Sequence, residues 1–139
     1  TIYGVTYGNG LFVTVGWLGT ILTSSDGTTW TERTPEPIRR RHLRGVTYGN
    51  GLFVTVGHYG TIDTSLDGNS WKRNGGPDHN SLTVTSYHLY GVTYGNGTFV
   101  TVGHSGTIFT STDGTIWTET TSGTSYHLES ITYSGRSRI

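Results

Sequence analysis

Short runs with apolar residues on both faces of an extended chain recur along this sequence. In the run Leu-Phe-Val-Thr-Val from Leu11 to Val15, the first, third and fifth side chains fall on one face and the other two on the opposite face. The run returns at Leu52 and, with Thr in place of Leu, at Thr98. This pattern predicts short β-strands in sheets that lie between two neighbouring sheets. No segment has helical periodicity.

The runs belong to a longer repeat. The stretch Gly4–Trp30 is copied almost unchanged at Gly45–Trp71 and Gly91–Trp117, and a fourth copy begins at Ser130 and stops after one strand. The starting positions lie 41, 46 and 39 residues apart. Periods of this length are typical of propellers and solenoids.

Each copy is predicted to form four strands, A to D, with a turn at every joint. In the first copy, strand A is Tyr3–Tyr7, a Gly-Asn-Gly turn leads to strand B at Leu11–Val15, strand C is Thr20–Thr23, and strand D opens with Trp30. We therefore predict an all-β propeller of four-stranded blades, with three blades and one extra strand. The expected boundaries within a single repeat domain, 1–139, are about 1–43, 44–89, 90–128 and 129–139.

A Ser-X-Asp-Gly-X-X-Trp motif lies between strands C and D of every copy. Its repeated residues are Ser24, Asp26, Gly27, Trp30, Ser65, Asp67, Gly68, Trp71, Ser111, Asp113, Gly114 and Trp117. The motif resembles the Asp-box (BNR repeat) of sialidase-like and bacterial tandem-repeat β-propellers. More distantly, the repeat resembles the propellers of photosystem II assembly factors.

The resemblance implies a structural role for the Asp-box. An Asp in such a turn can accept hydrogen bonds from backbone N–H groups, the following Gly can adopt positive φ, and the Trp can pack on the adjoining blade. It also implies that A–B and C–D turns share one end of the propeller, while B–C turns and D–A loops share the other. An extracellular or periplasmic location is favoured by the resemblance alone.

Histidines recur at the second of these ends. The expected ligand face consists of Trp17, His58, Tyr59, His104, His42, His88 and His127. One interpretation is a ring of imidazoles able to bind a divalent metal. The other, which we favour because no carboxylate accompanies the histidines at regular spacing, is that each His hydrogen-bonds a turn. We predict neither a metal nor a cofactor.

Catalysis is not expected. Sialidase-like enzymes bind a substrate carboxylate with arginines from separate blades, whereas Arg39–Arg41 is one consecutive run followed closely by Arg44. Glycosidases need two placed carboxylates. The glutamates Glu32, Glu36, Glu119 and Glu129 lie in no recognisable catalytic context.

Carbohydrate binding is the alternative function. Aromatic residues expected in the variable turns and loops are Trp17, Tyr59, Tyr87 and Tyr126, with the polar residues Asp78 and Asn80 nearby. Such a platform is what sugar binding requires, although channel-lining or blade-packing roles explain the same residues. Asp63 stands where the other copies have Leu22 and Phe109, either as a charge partner or as a sign of a different environment.

Composition narrows the possible partners. The 139 residues carry nine basic and nine acidic side chains, so nothing indicates a nucleic-acid surface. No apolar run approaches the length of a membrane span, and the absence of cysteine excludes disulfides.

Three blades are fewer than the four to eight that usually close a propeller. We therefore expect a non-catalytic scaffold or interaction module, natural or engineered, that assembles with itself. A homodimer of six blades is favoured over a homotrimer of nine, and a fragment of a longer repeat protein is the alternative. The extra strand, His127–Tyr133, would compete with Thr1–Val5 for one place at the junction.

Overall fold

The computed structural model describes residues 1–33, 41–75 and 87–135. These residues form three four-stranded antiparallel sheets, each built from consecutive strands, and we call them blades 1, 2 and 3. The strands are β1 (Ile2–Gly8), β2 (Leu11–Gly16), β3 (Ile21–Ser24), β4 (Thr31–Glu32), β5 (Leu43–Gly49), β6 (Leu52–Gly57), β7 (Ile62–Ser65), β8 (Lys72–Gly75), β9 (Leu89–Gly95), β10 (Thr98–Gly103), β11 (Ile108–Ser111) and β12 (Thr118–Thr120). The predicted all-β class with three four-stranded sheets is confirmed.

The first hairpin of each blade has the geometry expected of its Gly-Asn-Gly turn. In blade 1, Gly8 pairs with Leu11 across two residues that both have positive φ, 51° at Asn9 and 75° at Gly10. Positive φ at both central residues defines a type I′ turn, whose twist matches that of paired strands. The turn therefore fixes the register of strands A and B.

Strand D begins one residue later than predicted in every blade. The prediction opened it with Trp30, Trp71 and Trp117, whereas β4, β8 and β12 begin at the following residue. In blade 1, the carboxylate of Asp26 accepts hydrogen bonds from the N–H groups of Thr28 and Thr29. These bonds hold the chain in the turn, so it rejoins the sheet only after the Trp.

The apolar core lies between blades and not within them. One cluster joins Val13, Val15 and Ile21 of blade 1 to the face of blade 2 that carries Phe53, with Trp71 packed beside it. A second joins Val54, Val56 and Ile62 of blade 2 to the face of blade 3 that carries Phe99 and Trp117. Blade 2 is thus buried on both faces, which explains why its strands carry apolar side chains on both faces.

The innermost strands approach one another most closely. Strand β1 packs on β5, and β5 on β9. The Tyr48 ring lies against Gly8 and the Tyr94 ring against Gly49, so closely that a Cβ at either glycine would overlap the ring. The inner strands and residues 129–131 line a hollow of about 270 Å³.

The fourth copy takes the place of an innermost strand. Tyr133 lies against Gly95 as Tyr94 lies against Gly49, and Ser130 lies against Gly91. Residues 121–135 nevertheless contain no assigned strand, because the described chain offers them no strand B to pair with.

Asp63 has a charge partner, which settles the question that the sequence left open. Its side chain is buried, and its carboxylate accepts a hydrogen bond from Nε of Arg73, its cross-strand neighbour, at 2.6 Å. Burial raises the pKa of Asp63, and the Arg73 charge opposes that shift. In blade 1 the same two positions hold Leu22 and Glu32, so blade 2 has an ion pair where blade 1 pairs an apolar residue with a glutamate.

Substitution of Gly49 by Ala tests the contact between inner strands. We expect the free energy of unfolding to fall by about 1–3 kcal/mol, since the added methyl group must displace the Tyr94 ring. Chemical denaturation measures the change. In a Tyr94→Ala background the same glycine substitution should cost much less. If Gly49→Ala lowers the free energy of unfolding equally in the two backgrounds, the cost does not come from overlap with the Tyr94 ring.

Candidate functional site

The B–C turns build one end of each blade from an unusual backbone conformation. Each is a short 3-10 turn whose second residue is left-handed, with φ of 54° at Leu18, 58° at Tyr59 and 56° at Ser105. Non-glycine residues rarely adopt this conformation. A repeated departure of this kind indicates that surrounding contacts hold the turn in place.

Those contacts come from histidines of the following copy. The N–H of each left-handed residue donates to the imidazole Nδ1 of a histidine on the next blade or segment. The distances are 2.8 Å from Leu18 to His42, 2.9 Å from Tyr59 to His88 and 3.0 Å from Ser105 to His127. Because Nδ1 accepts, the neutral tautomer with its proton on Nε2 fits each of the three rings.

Two of these histidines also bind their own blade through the backbone. The carbonyl of His42 accepts from the N–H of His58, and that of His88 from the N–H of His104, both at 2.9 Å. Each of these two histidines therefore ties two consecutive B–C turns together. Its ring binds the turn of the preceding blade, and its carbonyl group binds the turn of its own blade.

Six rings form a continuous row across the described blades, which we call the histidine arc. It comprises Trp17, His42, His58, His88, His104 and His127. Rings from neighbouring copies stack in pairs with centroids 4.3 Å apart, and edge-on contacts of 4.9 and 6.1 Å connect the pairs. Tyr59 lies beside the arc, edge-on to His88 and under the guanidinium of Arg41.

The rings of the arc lie in a row, and three of its Nδ1 atoms accept backbone hydrogen bonds. In residues 1–33, 41–75 and 87–135, no group of three or more His, Cys, Asp or Glu side chains is placed to hold a metal ion.

Arg44 lies next to the arc and faces the central hollow. Its guanidinium lies between two tyrosine rings, 4.6 Å from the centroid of Tyr3 and 5.0 Å from that of Tyr90. Nη1 of Arg44 is 3.4 Å from Nε2 of His58, which makes the imidazole an acceptor there. Tyr3, Arg44 and Tyr90 occupy equivalent positions near the start of strand A in the three blades, so the packing of the innermost strands brings them together.

The electrostatics favour neutral imidazoles in the middle of the arc. Burial lowers the pKa of His58 to about 4, assisted by the neighbouring His88 and His42 rings and by Arg44. Burial also lowers the pKa of His88, with His104 and Arg44 adding to the shift. A proton on either ring would place a positive charge close to the guanidinium of Arg44.

The Ser-X-Asp-Gly turns lie away from the arc and make the same internal bonds in all three blades. In blade 3, Oγ of Ser111 accepts from the N–H of Gly114 at 2.8 Å, and the carboxylate of Asp113 accepts from the next two free N–H groups at 2.9 and 3.0 Å. These hydrogen bonds lower the pKa of Asp113, and its counterparts Asp26 and Asp67 shift in the same direction for the same reason.

The tryptophans of these turns differ between blades. Trp71 and Trp117 donate from Nε1 to the carbonyl groups of Gly68 and Gly114 and pack against the preceding blade. Within the residues that the structure describes, no blade lies against the corresponding face of blade 1, and Trp30 is exposed. The difference follows from position in the array and not from the motif.

Several residues singled out in the sequence are not brought together. Tyr87 contacts His104, whereas Tyr126 is largely exposed. Arg39, Arg40, Glu36, Asp78 and Asn80 lie outside the described residues.

Two features were not predicted from the sequence: the position of the Arg44 guanidinium between the rings of Tyr3 and Tyr90, and the packing of Tyr on Gly along the inner strands. The second had a visible signal, because every full copy carries the pair Tyr-Gly at the end of strand A.

A different hollow lies at the B–C end of blade 3. It has a volume of about 540 Å³ and is lined by Ser105, Gly106 and residues 119–125, which supply hydroxyl groups and the carboxylate of Glu119. The B–C turn and the segment after strand D thus share one concave surface.

Comparison with known structures identifies the fold. Two structures of YCF48, one bound to D1 peptide and one from Cyanidioschyzon merolae, are each 22% identical to the chain, with TM-scores of 0.68 and 0.69. They match over 86% and 88% of this chain and over 39% and 40% of their own. The chain therefore spans about two fifths of the length of these structures.

Other matched structures share the architecture at lower identity. The WD40 β-propeller domain of Doa1 is 14% identical with a TM-score of 0.58, covering 81% of this chain and 38% of that one. A GH130 structure, from a family of mannoside phosphorylases containing glycoside hydrolases, is 14% identical with a TM-score of 0.51, covering 92% and 51%. No protein-family model and no curated protein matches the chain.

These likenesses show that the three sheets are blades of a β-propeller. The β-propeller architecture also occurs in a family that contains glycoside hydrolases, so the fold is compatible with both catalytic and non-catalytic use. The described part of the chain holds no helix long and apolar enough to cross a bilayer.

The histidine arc should make the fold sensitive to acid. Below pH 6.5, the ordinary pKa of His, the unfolded chain binds more protons at His58 than the folded chain does, so the free energy of unfolding should decrease from about pH 6.5 to about pH 4. Replacing His58 by Trp, the residue of blade 1 at this position, should make that decrease shallower. Denaturation at several pH values measures it.

The control for this prediction lies in the remaining titratable groups. The aspartates of the three turns have lowered pKa values and lose their contribution only below the window, and the raised pKa of Asp63 acts in the opposite direction. His88 also has a lowered pKa and acts in the same direction as His58. All of these groups are present in wild type and variant. Identical pH profiles for the two proteins would contradict the assignment to His58.

Proposed function

We propose that the chain is a non-catalytic β-propeller interaction module of the Asp-box type that completes a closed ring by binding a second copy of itself. Two chains would supply six blades, which lies within the usual range of four to eight. Closed two-fold assemblies are also the commonest oligomers.

One observation supports self-assembly above the others: blade 1 exposes the positions that blades 2 and 3 bury. Val5 is 62% exposed, whereas its counterparts Val46 and Val92 are 8% exposed. Ile2 is 49% exposed, and its counterparts Leu43 and Leu89 are fully buried. The sequence of blade 1 is therefore suited to a preceding blade that the described chain does not supply.

Aromatic residues extend the same exposed face. Tyr7 and Trp30 are exposed, whereas Tyr48 and Tyr94 pack on glycines of the preceding blade and Trp117 is buried. Contiguous apolar patches rimmed by polar residues are typical of interaction sites. Another blade of the same repeat would fit this face, because blades 1 and 2 already present the matching surface to blades 2 and 3.

The arrangement of carboxylates supports a non-catalytic module. Glu32 and Glu119 occupy equivalent exposed positions on the outer strands of blades 1 and 3, with blade 2 between them. Glu129 lies apart from both, beside the central hollow. Acid–base hydrolysis of a glycoside needs two carboxyl groups on either side of one bond, which these positions do not offer.

The form of YCF48 bound to D1 peptide shows that a propeller of similar architecture binds a polypeptide. That supports interaction as the general use of this chain, with a second copy as the partner that we propose.

Substitution of Val5 by Lys tests the proposed interface. Wild type should have the mass of a dimer at high concentration, and Val5→Lys should have that of a monomer, because a charge would be buried between blades. Light scattering after size exclusion measures both. Ile116→Lys, at an apolar residue that is similarly exposed (69%) but lies on a Ser-X-Asp-Gly turn, is the matched control and should remain dimeric. A compact monomer of wild type at all concentrations would refute the proposal.

Carbohydrate binding through the B–C turn and D–A segment of blade 3 is the second candidate. The hydroxyl-rich hollow beside Ser105 and Glu119 favours it, because sugars bind through dense hydrogen bonding to such groups. A glycan array should then show specific binding that is lost on Glu119→Gln and kept on Glu32→Gln, the equivalent position of blade 1. Absence of any binding would leave the interaction module alone.

A further inference from the structure

Residues 127–133 fill the place of a following blade's first strand. Three contacts fix them on blade 3: the N–H of Ser105 donates to Nδ1 of His127, the N–H of Leu128 donates to the carbonyl of Gly103 at 3.0 Å, and the Tyr133 ring covers Gly95. The first and third of these repeat the contacts by which each blade holds the next one.

The same place is required by the dimer proposed above. A second copy that packs its blade 1 on this blade 3 would bring its Tyr7 over Gly95 and its Gly4 against Gly91. Tyr133 and Ser130 already occupy those two positions. Only one segment can lie there at a time, so the two must compete.

Strand exchange would avoid the competition, but one residue opposes it. If residues 129–135 replaced β1 inside the partner's blade 1, Ser134 would stand where Gly8 stands. Gly8 is covered so closely by the Tyr48 ring that any Cβ would overlap it. Ser134 therefore makes this segment a poor substitute for β1.

We infer that residues 127–133 form a removable cap on blade 3, which competes with β1 of a second copy and weakens self-assembly until it is displaced. This inference rests on the proposed function. The cap differs from a full blade in having no strand B beside it in the described structure, so it is held by blade 3 alone. A blade 1 that arrives with three further strands offers a larger contact surface for the same place.

The cap must open before the dimer can form. The free energy of cap closure therefore raises the apparent dissociation constant of the dimer. Tyr133 is about half-exposed, so its ring contributes about half of the energy of a fully buried aromatic side chain. Closing a two-fold ring displaces two caps, so we expect Tyr133→Ser to tighten dimerisation by about fivefold for each cap, or about 25-fold in the dissociation constant of the dimer. Analytical ultracentrifugation over a concentration series of the full chain measures the constant.

Two further variants make the test specific. Tyr126→Ser removes a more exposed tyrosine from the same segment of chain and should leave the constant unchanged. Ser134→Gly should also leave it unchanged, because the cap does not enter the partner's blade. A tighter dimer with Ser134→Gly would indicate strand exchange and overturn the inference.

The outcomes separate this inference from the proposed function. If wild type forms a dimer that Val5→Lys disrupts, but Tyr133→Ser leaves the constant unchanged or weakens it, the cap is wrong and self-assembly stands. If neither wild type nor Tyr133→Ser forms a dimer at any concentration, both are wrong. If Tyr133→Ser tightens the dimer while Tyr126→Ser and Ser134→Gly leave the constant unchanged, the result supports the cap.

Discussion

Packing of one blade on the next is the interaction on which the rest of this structure depends. A four-stranded sheet of two to seven residues per strand cannot bury its own side chains, because they point alternately to its two faces. Both apolar clusters lie between consecutive blades. Each blade is therefore stable only as a neighbour of another, as expected for repeat architectures.

The closest part of that contact involves a ring and a glycine. Tyr48 covers Gly8, and Tyr94 covers Gly49, at a separation that excludes any side chain on the glycine. The inner strands can converge towards one axis because nothing stands between them at these points. The same pair explains why the end of strand A is copied so strictly, and why Ser134 distinguishes the fourth copy from the other three.

Much of this fold could be predicted from the sequence because repetition removes ambiguity. The Gly-Asn-Gly turn fixed the hairpin of strands A and B, and three copies in register fixed the number of sheets. The start of strand D was predicted one residue early, at the Trp, because the hydrogen bonds from Thr28 and Thr29 to the Asp26 carboxylate hold the chain in the turn past that residue.

The candidate site was less predictable for a physical reason. The contact between His42 and Leu18 joins residues that lie far apart in sequence and depends on a left-handed backbone at a position occupied by Leu, Tyr or Ser in the three copies. Those residues do not share a conformational preference, so only the structure reveals the turn. The pair of Asp63 and Arg73 was hidden for the opposite reason, because it occurs in one copy and has no pattern.

The most direct test of this account is a crystal or electron-microscopy structure of the particle that forms in solution. Packing of blade on blade predicts a closed ring of six blades with two-fold symmetry, in which the Tyr7 ring of one chain covers Gly95 of the other. A particle in which Val5, Tyr7 and Trp30 all remain in contact with solvent would contradict it.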